Sequence, residues 1–272
     1  MRRNILITGC ASGIGQHLAT RLGENGHWVM ATDVDDFGLD ESTHQMEWDL
    51  TGIETSLLDV TRIDHWRRVV GDIVDERGRL DLLINAAGYL QPGYCWETDP
   101  EEIDRQIDVN LKGTMYGTRV VAEQMVDQER GHIVHFGSLA SLAPVPGLGV
   151  YSGTKFGVRG YSLSAAQELG EKGVDVTVVM PDAVDTPMLE KEADFDEAAI
   201  TFSASEMLTV DDIGDVICER VLPDRPLEIT IPPSRGVIAR VANLFPDVLD
   251  FLGPLFRKIG RERQEEYRER RE

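Results

Sequence analysis

The chain has 272 residues, 42% of them hydrophobic and 28% charged, with a formal net charge of −21. That length and apolar content suit one large α/β domain with an ample core, and so negative a surface excludes nucleic acid as a partner. No run reaches the roughly 18 consecutive apolar residues of a spanning helix, Met1-Arg2-Arg3-Asn4 leaves no room for a signal peptide, and Cys10, Cys95 and Cys218 lack paired or metal-ligand spacing, so a reduced, cytoplasmic protein without a metal site is expected.

Lysine occurs at only five positions, and few lysines among many acids fit adaptation to high salt, where screening relieves self-repulsion. An acidic, arginine-rich proteome gives the same composition.

Asn4 to Ile7 predicts a first strand. Thr8-Gly9-Cys10-Ala11-Ser12-Gly13-Ile14-Gly15 follows, then an amphipathic helix to about Asn25. Glycines at a strand-to-helix turn let a backbone approach a diphosphate, and the helix N-terminus supplies amides and a favourable dipole. Gly9, Ser12, Gly13, Ile14 and Gly15 are therefore candidate dinucleotide-binding residues; a plain tight turn is the alternative. Trp28 to Thr32 reads as a second strand ending at Asp33, eighteen residues past Gly15. An acid there accepts from an adenosine ribose hydroxyl and repels a 2′-phosphate. With no Arg or Lys in the loop or directly after Asp33, and Asp35 and Asp36 adding repulsion, NAD is predicted as cofactor, with NADP the alternative.

Phe37 to Thr51 is polar, a short helix or a loop. Thr55 to Leu58 reads as a third strand closing on Asp59-Val60-Thr61, where Asp59 meets an adenine amino group or else caps the helix Arg62 to Arg77. Leu80 to Ile84 is a buried fourth strand, and Asn85-Ala86-Ala87-Gly88 is small enough for a cofactor to lie across its end. Asp99-Pro100-Glu101 opens a long helix. Asn110 falls inside it against propensity and is expected to hold a backbone carbonyl or a water.

His132 to Phe136 is a fifth strand, just ahead of Ser138. Tyr151 and Lys155 begin a helical segment to Leu169 and stand four apart, on one face. A phenol titrates near ~10, and a neighbouring cation lowers that value toward neutrality. The Ser138 hydroxyl is placed to hold a substrate oxygen beside the phenol. Val174 to Met180 is a sixth strand, running into Pro181-Asp182-Ala183-Val184-Asp185-Thr186-Pro187. Met188 to Met207 is acidic and low in structural signal, within a substrate lid predicted at about 185–208. Thr209-Val210-Asp211-Asp212 caps another helix, and Leu227 to Ile231 is the last strand. Strands alternating with helices imply α/β architecture with a doubly wound parallel sheet.

These motifs, in this order, make residues 4 to 231 resemble the short-chain dehydrogenase/reductase family. The resemblance is carried by the Thr8-to-Gly15 loop, Asp59, Asn85 to Gly88, Asn110, Ser138, and Tyr151 with Lys155. It implies a Rossmann fold and hydride transfer between nicotinamide and a carbonyl or alcohol. It implies Tyr151 as acid/base, Ser138 as the oxygen-orienting hydroxyl, and Lys155 as the cation that lowers the Tyr151 pKa and binds the nicotinamide ribose. Asn110 is then expected to hold a relay water, and Thr186 and the Val184 backbone the carboxamide. The cofactor set is completed by Val60, Ala86 and Pro181. A small secondary alcohol or ketone is the expected partner, with an apolar, steroid-, retinoid- or lipid-like body, in a homodimer or homotetramer. A 3-oxoacyl thioester reductase and a non-catalytic NAD-binding interaction protein are the alternatives.

Two departures from the family stand out. Asp182 replaces the usual glycine, bringing an acid to the nicotinamide end. The glycine-rich close after the last strand is also absent. The domain is predicted to span residues 1–233, and 234–272 form an extension. There, apolar residues recur at three- and four-residue steps from Val237 to Ile259, through Val248, Leu249 and Leu252, broken by Pro246 and Gly253-Pro254. The extension carries nine basic and seven acidic residues, net +2, against −23 for the residues before it. Packing on the body or a second subunit is the expectation, ahead of a roof over an apolar pocket or contact with a membrane surface.

Overall fold

A computed structural model describes residues 2–48 and 52–271, and for 248–252 the backbone alone. Seven strands, β1 (Asn4–Thr8), β2 (Trp28–Asp33), β3 (Ile53–Leu57), β4 (Leu82–Asn85), β5 (Gly131–Phe136), β6 (Val174–Pro181) and β7 (Glu228–Ile231), form one sheet in the order β3-β2-β1-β4-β5-β6-β7, with every pair parallel. This is a doubly wound Rossmann sheet. Its order reverses between β1 and β4, so a crevice opens beyond Thr8 and Asn85, which are partners in register.

The central strands are apolar on both faces because helices cover both. Ile5 and Ile7 pack on one side with Leu18 and Leu22 of α1 (Gly13–Glu24), while Leu6 faces the other side with Trp66 of α3 (Ile63–Arg77). The polar stretch after Asp36 is helical in its first part, as α2 (Asp36–Gln45), where the Asp35 side chain caps Gly38 N at 3.0 Å; residues 49–51 of that stretch lie outside the described residues. The long helix begins as α4 (Pro100–Gln106), passes through a π turn at Ile107–Lys112, and continues as α5 (Gly113–Asp127). α6 (Gly149–Gly170) starts two residues before Tyr151. Buried His135 ties β5 to both neighbours, through Thr118 of α5 at 2.8 Å and Ser162 of α6 at 2.7 Å, and burial holds its ring neutral.

The acidic stretch predicted as a lid is more ordered than its sequence suggested. It contains α7 (Pro187–Ala193) and a 3-10 segment (Asp196–Ser203), and its ends meet where Leu208 N donates to Ala183 O at 3.0 Å. The chain then forms α8 (Val210–Val216), a π turn at Ile217–Val221 and the short α9 (Leu222–Asp224) before β7.

Beyond β7 come α10 (Pro233–Leu244) and α11 (Asp247–Arg271). The break expected at Gly253-Pro254 does not occur: Pro254 lies inside a 25-residue helix. A proline there forfeits one backbone hydrogen bond, and docking of the following turns offsets that loss. Gln264 Nε2 reaches the carbonyls of Glu192, Ala193 and Phe195 at 3.3, 3.1 and 2.8 Å. Arg263 donates to Ser203 O and Arg271 to Glu190 O, both at 2.7 Å, while Arg268 pairs with Asp196 at 2.9 Å. A basic helix thus lies on an acidic body. The side chains of Val248, Leu249 and Leu252 lie outside the described residues, whereas Val237, Val241, Leu244 and Phe245 face solvent. No helix among the described residues is long and apolar enough to cross a membrane.

At Gly260 the helix meets the lid backbone so closely that a Cβ would stand 1.9 Å from Ala199 O. Gly260→Ala is therefore expected to cost about 1–3 kcal/mol through overpacking and to loosen α11. Thermal melts and trypsin cleavage at Arg261 and Arg263 read this out; an unchanged melting temperature and cleavage rate would show that the contact is not a tight one.

Candidate active site

Tight backbone contacts shape the crevice at the sheet's switch point. Gly9 and Gly13 adopt φ of +78° and +58°, in the left-handed region that favours glycine. A Cβ on Gly9 would lie 2.8 Å from Ala87 N, and one on Gly15 would lie 2.1 Å from Gly9 O. The glycine loop therefore packs directly against the turn after β4, and the first turn of α1 packs against the loop. Ser12, exposed at the N-cap of α1, makes no side-chain cap bond, leaving the helix amides open. Across from it, a Cβ on Gly13 would stand 3.3 Å from Thr186 Cγ2. Thr186 caps α7 and donates to Val184 O at 3.2 Å.

Asp33, at the end of β2, accepts from Ala11 N (3.0 Å), Val34 N (2.7 Å) and Asp35 N (3.1 Å), so the acid braces the glycine loop. Asp59 Oδ1 accepts from Thr61 N at 2.9 Å and Thr61 Oγ1 at 2.7 Å, fixing the turn ahead of α3 rather than capping that helix; its Oδ2 has no hydrogen bond among the described residues. Val60 is buried beside it, with its carbonyl taken by Trp66 Nε1 at 3.0 Å. Asn85 Nδ2 is buried without a partner among the described residues. The fit to a dinucleotide is good: a cradle that any Cβ would fill, open helix amides and an orphaned donor at the strand end.

One cavity of about 680 Å³ gathers Ile14, Ala86, Gly88, Ser138, Tyr151, Lys155, Pro181, Val184 and Thr186. Asp33, Asp59 and Val60 stand away from it. Asn110, in the π turn, stands behind the cavity wall: its Nδ2 donates to Tyr89 O at 2.8 Å and Thr154 Oγ1 at 3.2 Å, and its Oδ1 accepts from Tyr89 N at 2.8 Å. The backbone carbonyl expected of it is thus Tyr89's, and the bonds tie the strand-end turn to α6. Lys155 Nζ is buried, donates to Phe136 O at 2.8 Å and lies 5.5 Å from the Tyr151 ring centroid.

The sequence profile described as short chain dehydrogenase matches residues 3–197. The chain belongs to this family. It is 34% identical over 186 residues to the 3-oxoacyl-[acyl-carrier-protein] reductase of Thermotoga maritima, covering 68% of this chain and 76% of that protein. It is 33% identical over 199 residues to the cyclopentanol dehydrogenase of Comamonas testosteroni, with 72% and 78% covered. Among solved structures, ElxO with NADP bound superposes with a TM-score of 0.76 at 28% identity, covering 85% of this chain and 98% of that one.

In this dehydrogenase the electrostatics differ from the sequence expectation in one respect. Burial pushes the Tyr151 phenol well above its usual value, the charge of Glu192 pushes it further, and only Ser138 pulls it back. Lys155 adds no lowering of the phenol, and burial brings its own pKa down to about 8. Desolvation dominates at both groups.

Sequence reasoning singled out Asp182 but passed over Arg235, Glu192 and Thr201 of the same cavity. Asp182 replaces the family glycine without standing free: it forms an ion pair with Arg235 of α10, which also donates to Ser203 Oγ at 3.4 Å. Glu192 and Thr201 line the same wall, with Thr201 Oγ1 donating to Glu192 Oε2 at 2.8 Å. The one signal for Glu192 is its spacing with Leu189 and Ala193, at i−3 and i+1, which puts an acid on the buried face of α7.

Burial raises the Glu192 carboxyl to about 7 from 4.5. Between those values the folded protein binds more protons than the unfolded chain, so stability falls as pH rises from about 4.5 to about 7. Glu192→Gln removes that penalty. It is expected to gain up to about 3 kcal/mol at pH 8 and nothing at pH 4, as urea melts at the two values would show. An equal shift at both would place the carboxyl in water.

Proposed function

We propose that this dehydrogenase uses NAD to interconvert a secondary alcohol of apolar body and its ketone. The observation that carries this reading is that Ser138, Tyr151 and Lys155 share one cavity whose remaining wall, including Leu139, Val145, Leu148, Ile238 and Phe256, is mainly apolar. Bound nicotinamide supplies the hydride acceptor in oxidation and the donor in reduction. Gly9, Ser12, Gly13, Ile14 and Gly15 would hold its diphosphate, Asp33 the adenosine ribose, Asp59 and Val60 the adenine, and Pro181, Val184 and Thr186 the carboxamide end, with Asn85, Ala86 and Gly88 beneath.

Tyr151 and Ser138 handle the substrate oxygen. The Ser138 hydroxyl orients it, and the Tyr151 phenol takes the alcohol proton in oxidation or gives it to the ketone oxygen in reduction. Lys155, held by the Phe136 carbonyl, brings positive charge to one side of the phenol. Asn110 positions the Tyr89 turn against Thr154, and so fixes α6 and the phenol it carries. The apolar wall excludes water from the reacting carbon.

NAD is favoured over NADP because Asp33, Asp35 and Asp36 cluster where a 2′-phosphate would sit, with no lysine or arginine in the loop between Thr8 and Gly15. The similarity to the Thermotoga reductase supports a second reading, reduction of a 3-oxoacyl thioester. The roof supplied by Arg235, Ile238 and Phe256 narrows access for a carrier-bound chain and favours a free small molecule. A homodimer or homotetramer remains the proposed assembly, and the exposed apolar side of α10 supports it.

Tyr151→Phe is expected to lower kcat by a factor of about 10² or more while NADH binding, followed by fluorescence, stays within twofold. Retention of a tenth of kcat would assign the proton to another group. Asp33→Ala is expected to narrow the ratio of kcat/KM for NAD over NADP; equal values for the two nucleotides in the unaltered protein would overturn the NAD preference.

A further inference from the structure

Glu192 is the one acid in the cavity wall left without a cation. It is 6% exposed and lines the same cavity as Ser138 and Tyr151. One carboxyl oxygen accepts from Thr201, and the other has no hydrogen bond among the described residues. The neighbouring cations are engaged elsewhere. Arg235 faces Asp182 and Ser203, Lys191 donates to Tyr89 Oη and Leu90 O at 3.3 and 3.2 Å, and Arg268 serves Ala193 O and Asp196.

The one hydrogen bond to the Glu192 side chain among the described residues is that from Thr201, which occupies a single carboxyl oxygen. The end of α7 is already fastened through backbone carbonyls by Gln264, and Leu189 and Ala193 fill the apolar face beside it. An apolar residue at 192 would pack there without the cost of desolvating an acid. A carboxyl kept at that cost within an otherwise apolar wall acts as an orienting point for a ligand. It accepts a hydrogen bond when ionised, and both accepts and donates when protonated. A hydroxyl satisfies either form.

We propose that Glu192 recognises a second hydroxyl on the substrate, so that the preferred substrates are secondary alcohols or hydroxyketones whose apolar body carries a further hydroxyl away from the reacting carbon. This rests on the alcohol dehydrogenase reading above and names the substrate class for that site. Glu192 touches the distal hydroxyl and not the reacting atoms, so it is a specificity residue. A substrate lacking that hydroxyl leaves a buried acid unpaired, and discrimination between close isosteres by a buried polar group is large for this reason.

The test uses the full chain with NAD and two alcohols of matched size, 1,4-cyclohexanediol and 4-methylcyclohexanol. The unaltered protein is expected to favour the diol at least tenfold in kcat/KM, mainly through KM. Glu192→Leu should invert that preference, and Glu192→Gln, whose amide oxygen still accepts, should keep most of it. Thr201→Val, which frees the second carboxyl oxygen, should retain the preference for the diol. A wild-type ratio near one, or a diol preference that survives in Glu192→Leu, overturns the inference while leaving the dehydrogenase reading intact. Failure of the unaltered protein to oxidise either alcohol with NAD or NADP, or to reduce either ketone with NADH or NADPH, overturns both.

Discussion

The last carbonyls of a helix have no partners within it, and when the end is buried the deficit must be met from elsewhere. In this protein the end of α7 is met by Gln264, itself only 1% exposed, whose amide reaches the carbonyls of Glu192, Ala193 and Phe195. Much else depends on that contact. It fixes the register of α11 along the 3-10 segment, which the close approach at Gly260 then makes intolerant of a side chain. It sets the rotation of α7, and with it the direction of Glu192. It also holds the extension over the cavity, so that Arg235 and Phe256 are half-buried wall residues, with Ile238 at the exposed rim.

A cavity closed in this way is a poor solvent for charge, and three of its ionisable groups register that most strongly. Burial brings Lys155 down to about 8, Glu192 up to about 7, and the Tyr151 phenol upward. Each is pushed towards its neutral form, as desolvation requires. Lys155 and Glu192 therefore change charge close to neutrality and in the same direction as pH rises: Glu192 gains a negative charge before Lys155 loses its positive one. Once ionised, the Glu192 carboxylate opposes the phenolate and adds to the burial that keeps the phenol neutral. Asp182 is pushed upward by burial as well, and its ion pair with Arg235 opposes that shift.

Local patterns carried far in the sequence where chemistry and backbone geometry coincide. The glycine loop, Asp33, Ser138, and the i, i+4 spacing of Tyr151 and Lys155 were legible because each is a short-range requirement: a turn that only glycine makes, an acid at a strand end, two side chains on one helical face. Asn110 was legible through its misfit with helix propensity, and its partner proved to be the Tyr89 backbone. Met188 to Met207 was not legible, because two short helical pieces rich in acids look like solvated chain until another helix lies on them. Pro254 misled in the opposite sense, since a proline reads as a break unless distant contacts hold the helix on either side of it.

The sequence by itself determined the order of strands and helices, the glycine turn after β1 and the residues proposed for the catalytic cluster, because periodicity, turn chemistry and motif spacing are properties of neighbours along the chain. Tertiary structure alone decided that the extension roofs the cavity, that Asp182 is matched by Arg235 some fifty residues later, and that Glu192 faces inward while Glu190, two residues away, faces water. Those outcomes depend on which surfaces meet and on how much water they exclude. A charge run along a chain does not state which of its acids will be left in an apolar wall; only the helix that lies across it does.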